Sequence, residues 1–356
     1  MDANLTPYRI AHVVGARPQF VKLKPLAAAI ADAGGMNWVA HTGQHYDVLM
    51  NDSFWVEMGF RPDYHGAWTR ESADLEHLVD ALREARADAV VVYGDTDSTV
   101  LGAKAALELG LPLAHAEAGL RSFNALMPEE HNRVWVDQRA HWLWAPTDQA
   151  LQQLNAEGLD TGAPWVLNTG DLMLDAFPRR DPEEDHGGSL KQILVTLHRN
   201  TNIDNPSRLR HIEQALDALS DDFEIIWPRH PRHRAVGLNS RLVPDCLPMG
   251  REELIDALYG AAWVITDSGG LQKEAFFAGR RGIVLRTETE WTELVDAGWT
   301  VLVDPDTPDL ATALRSQIKE WLRCPAEVPP LLYGQGSAAK LMVKSLAEGL
   351  AQRSGW

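Results

Sequence analysis

The sequence predicts an α/β protein of two doubly wound units, each a parallel sheet with helices on both faces. Three observations predict it. Short apolar, β-branched runs alternate with helical text along the chain. The run at 87–93 (ADAVVVY) is almost wholly apolar, as a strand buried on both faces must be. A polar stretch rich in Pro and Gly at 179–189 (RRDPEEDHGGS) interrupts the alternation, which then restarts.

The elements follow in order. Residues 8–14 form an apolar strand ending at Gly15, and a helix pattern runs from 19 to 33. Strands are expected at 36–41 and 87–93, a helix at 99–109, and strands at 111–116 and 141–145. Between the last two a helix starts near Glu129, after a proline. Past the linker, strands at 192–197, 224–227, 263–266, 282–285 and 300–303 alternate with helices at 207–219, 251–259 and 271–278. A last helix at 337–351 follows the Pro- and Gly-rich break at 329–336. Two such units place a ligand-binding cleft at the carboxyl ends of their strands, where open α/β sheets bind ligands.

Composition narrows the function. The chain has 356 residues, which at roughly 150 per domain suggests about two domains. Hydrophobic residues make up 45% and charged residues 23%, enough for two cores and too apolar for disorder. The net charge of −17 argues against non-specific nucleic-acid binding, which needs a dense basic face. A local basic cleft for a small anion remains compatible with it. Cys246 and Cys324 form no CxxC pair, so neither a disulfide framework nor a structural zinc site is expected. No signal peptide is recognisable and no apolar run approaches the ~18 residues of a membrane span, so a cytoplasmic location is expected.

The chemistry-bearing motifs sit where strands end. Gly15-Ala16-Arg17-Pro18, with Lys22 in the following helix, combines a tight turn, free helix N–H groups and two cations, a combination that suits a phosphate. It is neither a P-loop nor GxGxxG, and an ordinary βα turn flanked by surface charges is the alternative. Asp95 stands directly after the buried strand in Gly94-Asp95-Thr96-Asp97, and Asp97 is the expected cap of the next helix. Glu117, in His115-Ala116-Glu117-Ala118-Gly119-Leu120-Arg121, lies among small residues, where desolvation suits acid/base work. Its alternative is a structural pair with Arg121. Glu129, in Met127-Pro128-Glu129-Glu130-His131-Asn132-Arg133, is either a third carboxylate for one site or an ordinary acidic helix start.

The second half supplies the opposite charge. His198 ends the first strand there, and His230 lies between Arg229 and Arg232, which fit an anion. Thr266-Asp267-Ser268-Gly269-Gly270 opens a helix with glycines that permit close backbone approach to a phosphate. Glu274 lies about one turn further, where a carboxylate can take a ribose diol.

The blocks GARPQFVK, HTGQHYD, YGDTDST, AHAEAGLRSFN, MPEEHNR, TLHR, TDSGGLQKEAFF and LRTETEWTELVDAGW resemble the non-hydrolysing UDP-N-acetylglucosamine 2-epimerases. They also resemble relatives acting on UDP-2,3-diacetamido-glucuronic acid. The resemblance runs from about residue 9 to 350. It implies the GT-B architecture, two Rossmann-like domains facing a cleft. Residues 1–178 would form the N-terminal domain, joined by the terminal helix at 337–356, and residues 179–336 the UDP-binding domain. It implies a homodimer, a UDP-sugar substrate, and C2 inversion without metal or nicotinamide, through elimination of UDP to a 2-acetamidoglucal and re-addition. Asp95, Glu117 and Glu129 match the acid/base carboxylates, and His198 the histidine near the leaving diphosphate. Arg17 and Lys22 match residues that position that diphosphate. Ser268, Gly269 and Gly270 match the phosphate loop, Glu274 the ribose carboxylate, and Arg286 a block beside the nucleotide sugar. Gln44 and His45 match residues that contact a second, activating UDP-sugar in some members.

The chain departs from the pattern in two places. His-Arg-x-Glu-Asn becomes His198-Arg199-Asn200-Thr201-Asn202, and Thr-Glu-Arg-Pro-Glu becomes Thr289-Glu290-Trp291-Thr292-Glu293. The catalytic set is intact. A hydrolysing epimerase, a GT-B glycosyltransferase and a non-catalytic nucleotide-sugar binder share the fold and stay open as alternatives.

Overall fold

The computed structural model describes residues 3–44, 59–67, 72–160, 165–180, 188–229, 247–324 and 329–353. The chain divides into two compact units, Met1–Ala176 with Leu331–Trp356, and Phe177–Pro330.

In the first unit, β1 (Arg9–Val14), β2 (Met36–His41), β3 (Tyr64–His65), β4 (Ala89–Tyr93), β5 (Leu113–Ala116), β6 (Trp142–Ala145) and β7 (Trp165–Asn168) form one sheet. Its order is β3-β2-β1-β4-β5-β6-β7, every pairing parallel. The helices are α1 (Arg17–Asp32), α2 (Ser72–Ala85), α3 (Asp97–Glu108), α4 (Pro128–Asp137), α5 (Asp148–Ala156), α6 (Leu172–Ala176) and, from the end of the chain, α13 (Ala338–Arg353). Chain direction across the sheet reverses between β1 and β4, which makes their carboxyl ends the switch point where ligands bind.

All five residues of β4 are buried, so its run of Val and Tyr is the centre of the sheet. One face packs Phe20, Leu23 and Leu26 of α1 with Met342 and Leu346 of α13. The other packs Leu78 and Leu82 of α2 with Ala103 and Ala106 of α3. Two buried indoles hold α13 in place: Trp142 Nε1 donates to Ser345 O at 3.0 Å and Trp144 Nε1 to Ser345 Oγ at 2.9 Å. Gly349 lets the helix approach, since a Cβ there would fall 2.4 Å from Trp142 Cζ2.

In the second unit, β8 (Ser189–Thr196), β9 (Glu224–Ile226), β10 (Ala261–Thr266), β11 (Arg281–Val284) and β12 (Thr300–Leu302) are ordered β12-β11-β10-β8-β9, again all parallel. The helices are α7 (Asn200–Ile203), α8 (Pro206–Leu219), α9 (Arg251–Gly260), α10 (Gly269–Phe277), α11 (Thr292–Asp296) and α12 (Leu310–Arg323). Leu209, Ile212 and Leu216 of α8 and Leu314 and Ile318 of α12 cover one face, and Ile255 and Leu258 of α9 with Leu271 and Ala275 of α10 cover the other. Here the reversal falls between β8 and β10.

Each unit is therefore a Rossmann-like, doubly wound parallel sheet, as the alternating text predicts. The boundary assigns residues 177–178 to the second unit and 331–336 to the first. Tyr333 shows why: its carbonyl accepts from Asp171 N at 3.1 Å, inside the first unit. Most of the linker expected at 179–189 lies outside the described residues.

Candidate functional site

The first unit gathers charge at the ends of β1, β4 and β5. Gly15 turns the chain out of β1 in a space no side chain fits, because a Cβ would fall 1.9 Å from Ser98 Oγ. Gln19 then closes the turn. Its Oε1 accepts from the backbone N–H of Gly15 at 2.7 Å and of Ala16 at 3.0 Å, while its Nε2 donates to Tyr93 O at 2.6 Å. This glutamine ties the end of β1 to the end of β4. Arg17 is exposed at the start of α1.

Lys22, one turn further on, is buried and forms an ion pair with Glu117 Oε2. The expected lone, desolvated carboxylate is thus a paired one, and its partner is Lys22 and not Arg121. Arg121 instead joins Asp137 and Glu157. Lys22, expected at the diphosphate, stands against the acid. Glu117 has φ +70°, a left-handed backbone that costs a non-glycine residue about 1–3 kcal/mol and clusters at functional sites.

Asp95 is held from α4. Arg133 donates to Asp95 Oδ2 through Nε at 2.9 Å and through Nη2, and Asn132 Nδ2 donates to Asp95 O at 2.9 Å. Arg133 Nη1 also reaches Glu130 Oε2 at 3.0 Å. Glu130 is buried and accepts from Ser122 N at 2.7 Å, Ser122 Oγ at 2.8 Å and Phe123 N at 3.2 Å. Burial opposes its ionisation, yet these donors and Arg133 outweigh burial and hold its carboxyl below the usual range. Glu129, beside it, is exposed at the start of α4. The two acids of one dipeptide therefore differ: Glu130 braces the 119–127 loop and Glu129 faces outward.

Asp97 does not cap α3. Thr96 is the N-cap, without a side-chain cap bond, and Asp97 is already helical. The cap comes from elsewhere: Gln44 Oε1 accepts from Ser98 N at 2.9 Å and Ser98 Oγ at 2.6 Å. Gln44, matched above to an activator contact, is thus engaged with α3. His45 and His230 lie outside the described residues.

In the second unit the hub is Asp267, fully buried at the end of β10. It accepts from His198 N at 3.0 Å, Arg199 N at 3.1 Å and Asn202 Nδ2 at 3.0 Å. The His198 side chain is 54% exposed, with Nδ1 3.6 Å from Asp267 Oδ1, so the ring is presented outward from a fixed backbone. Ser268 caps α10 by accepting from Leu271 N at 3.3 Å. Gly269 is crowded, since a Cβ would fall 2.2 Å from Glu290 Oε1, but a Cβ on Gly270 would meet nothing.

Glu274 is buried and paired with Arg251 at 2.7 Å. Arg286 Nη1 donates to Glu290 Oε2 at 2.9 Å. Trp291, the departure from the family pattern, donates through Nε1 to Gly269 O at 3.0 Å, and the Lys273 ammonium stands 4.0 Å from its ring. A cavity of about 230 Å³ opens beside this loop, lined by Arg199, Thr201, Asn202, Arg208, Arg286 and Glu288. Thr201, the other departure, is on its wall.

Sequence reasoning does not single out Arg133, Asp267, Gln19 or Arg251 as site residues, although all four hold candidates in place. Among the described residues no group of three or more His, Cys, Asp or Glu is placed to hold a metal ion.

Two parallel sheets with charged turns at their switch points, and a Ser-Gly-Gly turn opening a helix, place the chain among nucleotide-binding α/β enzymes of the GT-B type. The model of the UDP-N-acetylglucosamine 2-epimerase family matches residues 31–347. The chain belongs to that family. It is 37% identical to the UDP-2,3-diacetamido-2,3-dideoxy-D-glucuronate 2-epimerase of Pseudomonas aeruginosa, over 96% of this chain and 99% of that protein. Among solved structures it resembles the S. aureus MnaA–UDP co-structure, with TM-score 0.80, 27% identity and 97% of each chain covered. It also resembles the Methanocaldococcus jannaschii UDP-GlcNAc 2-epimerase in complex with UDP-GlcNAc and UDP, with TM-score 0.77 and 29% identity over 96% of this chain and 99% of that one.

Proposed function

We propose that this enzyme inverts C2 of a UDP-2-acetamido sugar, converting UDP-N-acetylglucosamine to UDP-N-acetylmannosamine. In the forward step a carboxylate takes the C2 proton, the C1–O bond to UDP breaks, and a C1=C2 double bond forms in the bound glucal. UDP then adds back to C1 while a carboxylic acid returns the proton to the opposite face of C2. Asp95, Glu117 and Glu129 are the acid/base groups, and His198, Arg17, Lys22 and Arg286 serve the departing diphosphate. The Ser268–Gly270 turn and Glu274 take the phosphates and ribose.

The observation that carries this reading is the pair of carboxylates at the ends of adjacent strands, Glu117 after β5 and Asp95 after β4, each matched to a cation, Lys22 and Arg133. A weakly acidic C–H needs a charged base held ready, and paired carboxylates supply it. The 37% identity to a diacetamido-glucuronate epimerase favours a second reading, in which that sugar is the substrate of the same reaction. The proposal includes a homodimer, to be checked by light scattering, and a cytoplasmic location. No described helix is long and apolar enough to cross a membrane.

Incubation in deuterated water with each nucleotide sugar, followed by NMR, tests the reaction. The expected result is deuterium at C2 and a mixture of the two epimers from one of them. Free N-acetylmannosamine with UDP identifies a hydrolysing enzyme, and transfer to an acceptor a glycosyltransferase. UDP binding without exchange at C2 leaves a binder and refutes the proposal.

A further inference from the structure

We infer that His115 and Asp137 form a buried positioning pair that fixes the spacing of Asp95 and Glu117. The inference rests on the epimerase reading above. Both residues are buried, His115 in β5 and Asp137 at the last turn of α4. Neither belongs to the candidate catalytic set.

The contacts run to both carboxylate loops. His115 Nδ1 lies 2.6 Å from Asp137 Oδ1, and Nε2 lies 2.7 Å from the carbonyl oxygen of Gly94, the residue directly before Asp95. Asp137 Oδ2 accepts from Gly119 N at 3.1 Å and from Arg121 Nη1 at 2.8 Å, gripping the loop two residues past Glu117. One carboxylate therefore reaches the Asp95 turn through the imidazole and the Glu117 loop directly. It also anchors α4, whose Arg133 holds Asp95 from the other side.

The chemistry of the pair is specific. Both ring nitrogens face oxygens that only accept, a carboxylate and a carbonyl. The rigid ring spans the two, so each nitrogen meets its own oxygen from one side chain. Burial opposes ionisation of Asp137, but His115 and Arg121 outweigh it and hold its carboxyl below the usual range. Arg121 is closed on its outer side by Glu157, with Nε to Oε1 at 2.8 Å and Nη2 to Oε2 at 2.7 Å. The result is a continuous line of polar side chains, Glu157, Arg121, Asp137, His115, ending on the Gly94 carbonyl. Glu117 needs such bracing, because its left-handed backbone persists only where the surroundings over-determine it.

The test uses the full-length protein, its His115→Gln and Asp137→Asn variants, and whichever of the two nucleotide sugars the wild type exchanges. A misplacement of about 1 Å costs roughly 100-fold in rate, so kcat should fall by about that factor. KM and the Kd for UDP should stay within about threefold, because neither residue belongs to the Ser268–Gly270 turn or pairs with Glu274. Variants with kcat within threefold of wild type, or with the loss confined to KM, overturn the inference. So does a failure of both variants to fold, which would make the pair a stability element only. Absence of exchange by the wild type overturns the epimerase reading and this inference with it. Exchange by the wild type with unchanged variants overturns this inference alone.

Discussion

Asp267→Ala tests whether one buried carboxylate organises the second unit's switch point. The substitution removes the acceptor of three hydrogen bonds: His198 N at 3.0 Å, Arg199 N at 3.1 Å and Asn202 Nδ2 at 3.0 Å. Bonds to a charged acceptor contribute about 1.5–3 kcal/mol each. Water can reach the two backbone donors once the side chain is gone, and the buried Asn202 amide keeps its second bond, to Leu285 O at 3.3 Å. The expected loss is about 3–5 kcal/mol, below the simple sum for that reason. In a unit of this size roughly 2–4 °C accompany each kcal/mol, so Tm should fall by about 10 °C. Asp267→Asn keeps one acceptor oxygen and should fall by about half as much. Differential scanning calorimetry measures both. Titration with UDP should show binding weakened at least tenfold, because the His198 turn and the Ser268 turn both start from this residue. A Tm within 2 °C of wild type together with a Kd within twofold would refute the reasoning.

Three further outcomes are expected. Gly270→Ala adds a methyl that meets no protein atom, so Tm should hold within about 2 °C while UDP affinity drops tenfold or more; an unchanged Kd removes the phosphate role from this turn. Asp95→Asn and Glu117→Gln should each lower C2 exchange at least 100-fold with UDP affinity kept, and near-normal turnover by either would end its assignment. Burial pushes the fully buried His12 from 6.5 down to about 4, partly offset by its bond to Asn37. The unfolded chain then binds one more proton across that interval, so stability is complete above pH 6.5 and declines toward pH 4, by roughly 3 kcal/mol in all. Denaturant unfolding across this range should show a shallower slope for His12→Gln, and equal slopes would discount the histidine.

The sheet strands were the legible part of the fold because burial on both faces demands continuous apolar runs, as in Val90–Val92. The sequence reading assigns nothing over α2, α5 or α12. For α12 a signal is present: Leu310, Leu314, Ile318 and Trp321 recur at helical spacing behind Asp309, whose Oδ1 accepts from Thr312 N at 3.1 Å. The motif residues at strand ends were legible for a topological reason. Parallel strands leave all their carboxyl ends at one edge, and polar residues there have nowhere else to face. Their partners were not legible. Arg133 meets Asp95 across 38 positions, Arg251 meets Glu274 across 23, and Asp137 meets His115 across 22. No local spacing announces such pairs. The cap of α3 fails in the same way, since Gln44 supplies from 54 positions away what Asp97 was expected to give.

Those long-range pairs, together with the local one of Arg286 and Glu290, change how the candidate charges act. Lys22 joins Glu117, Arg133 joins Asp95, Arg251 joins Glu274 and Arg286 joins Glu290. Each of these four candidate charges is thus met by an opposite charge of its own unit. A cation shared between a carboxylate and an arriving diphosphate loses part of its attraction for each, so Arg286 contributes to binding only as much as Glu290 releases. Lys22 differs in kind. Its partner is a proposed proton carrier, so protonation of Glu117 frees the ammonium at the step when the leaving diphosphate gains charge. Proton transfer at C2 and stabilisation of the departing group are then coupled through one ion pair. Lys22→Gln should for that reason lower kcat more than it weakens UDP binding, and an effect on binding alone would separate the two roles.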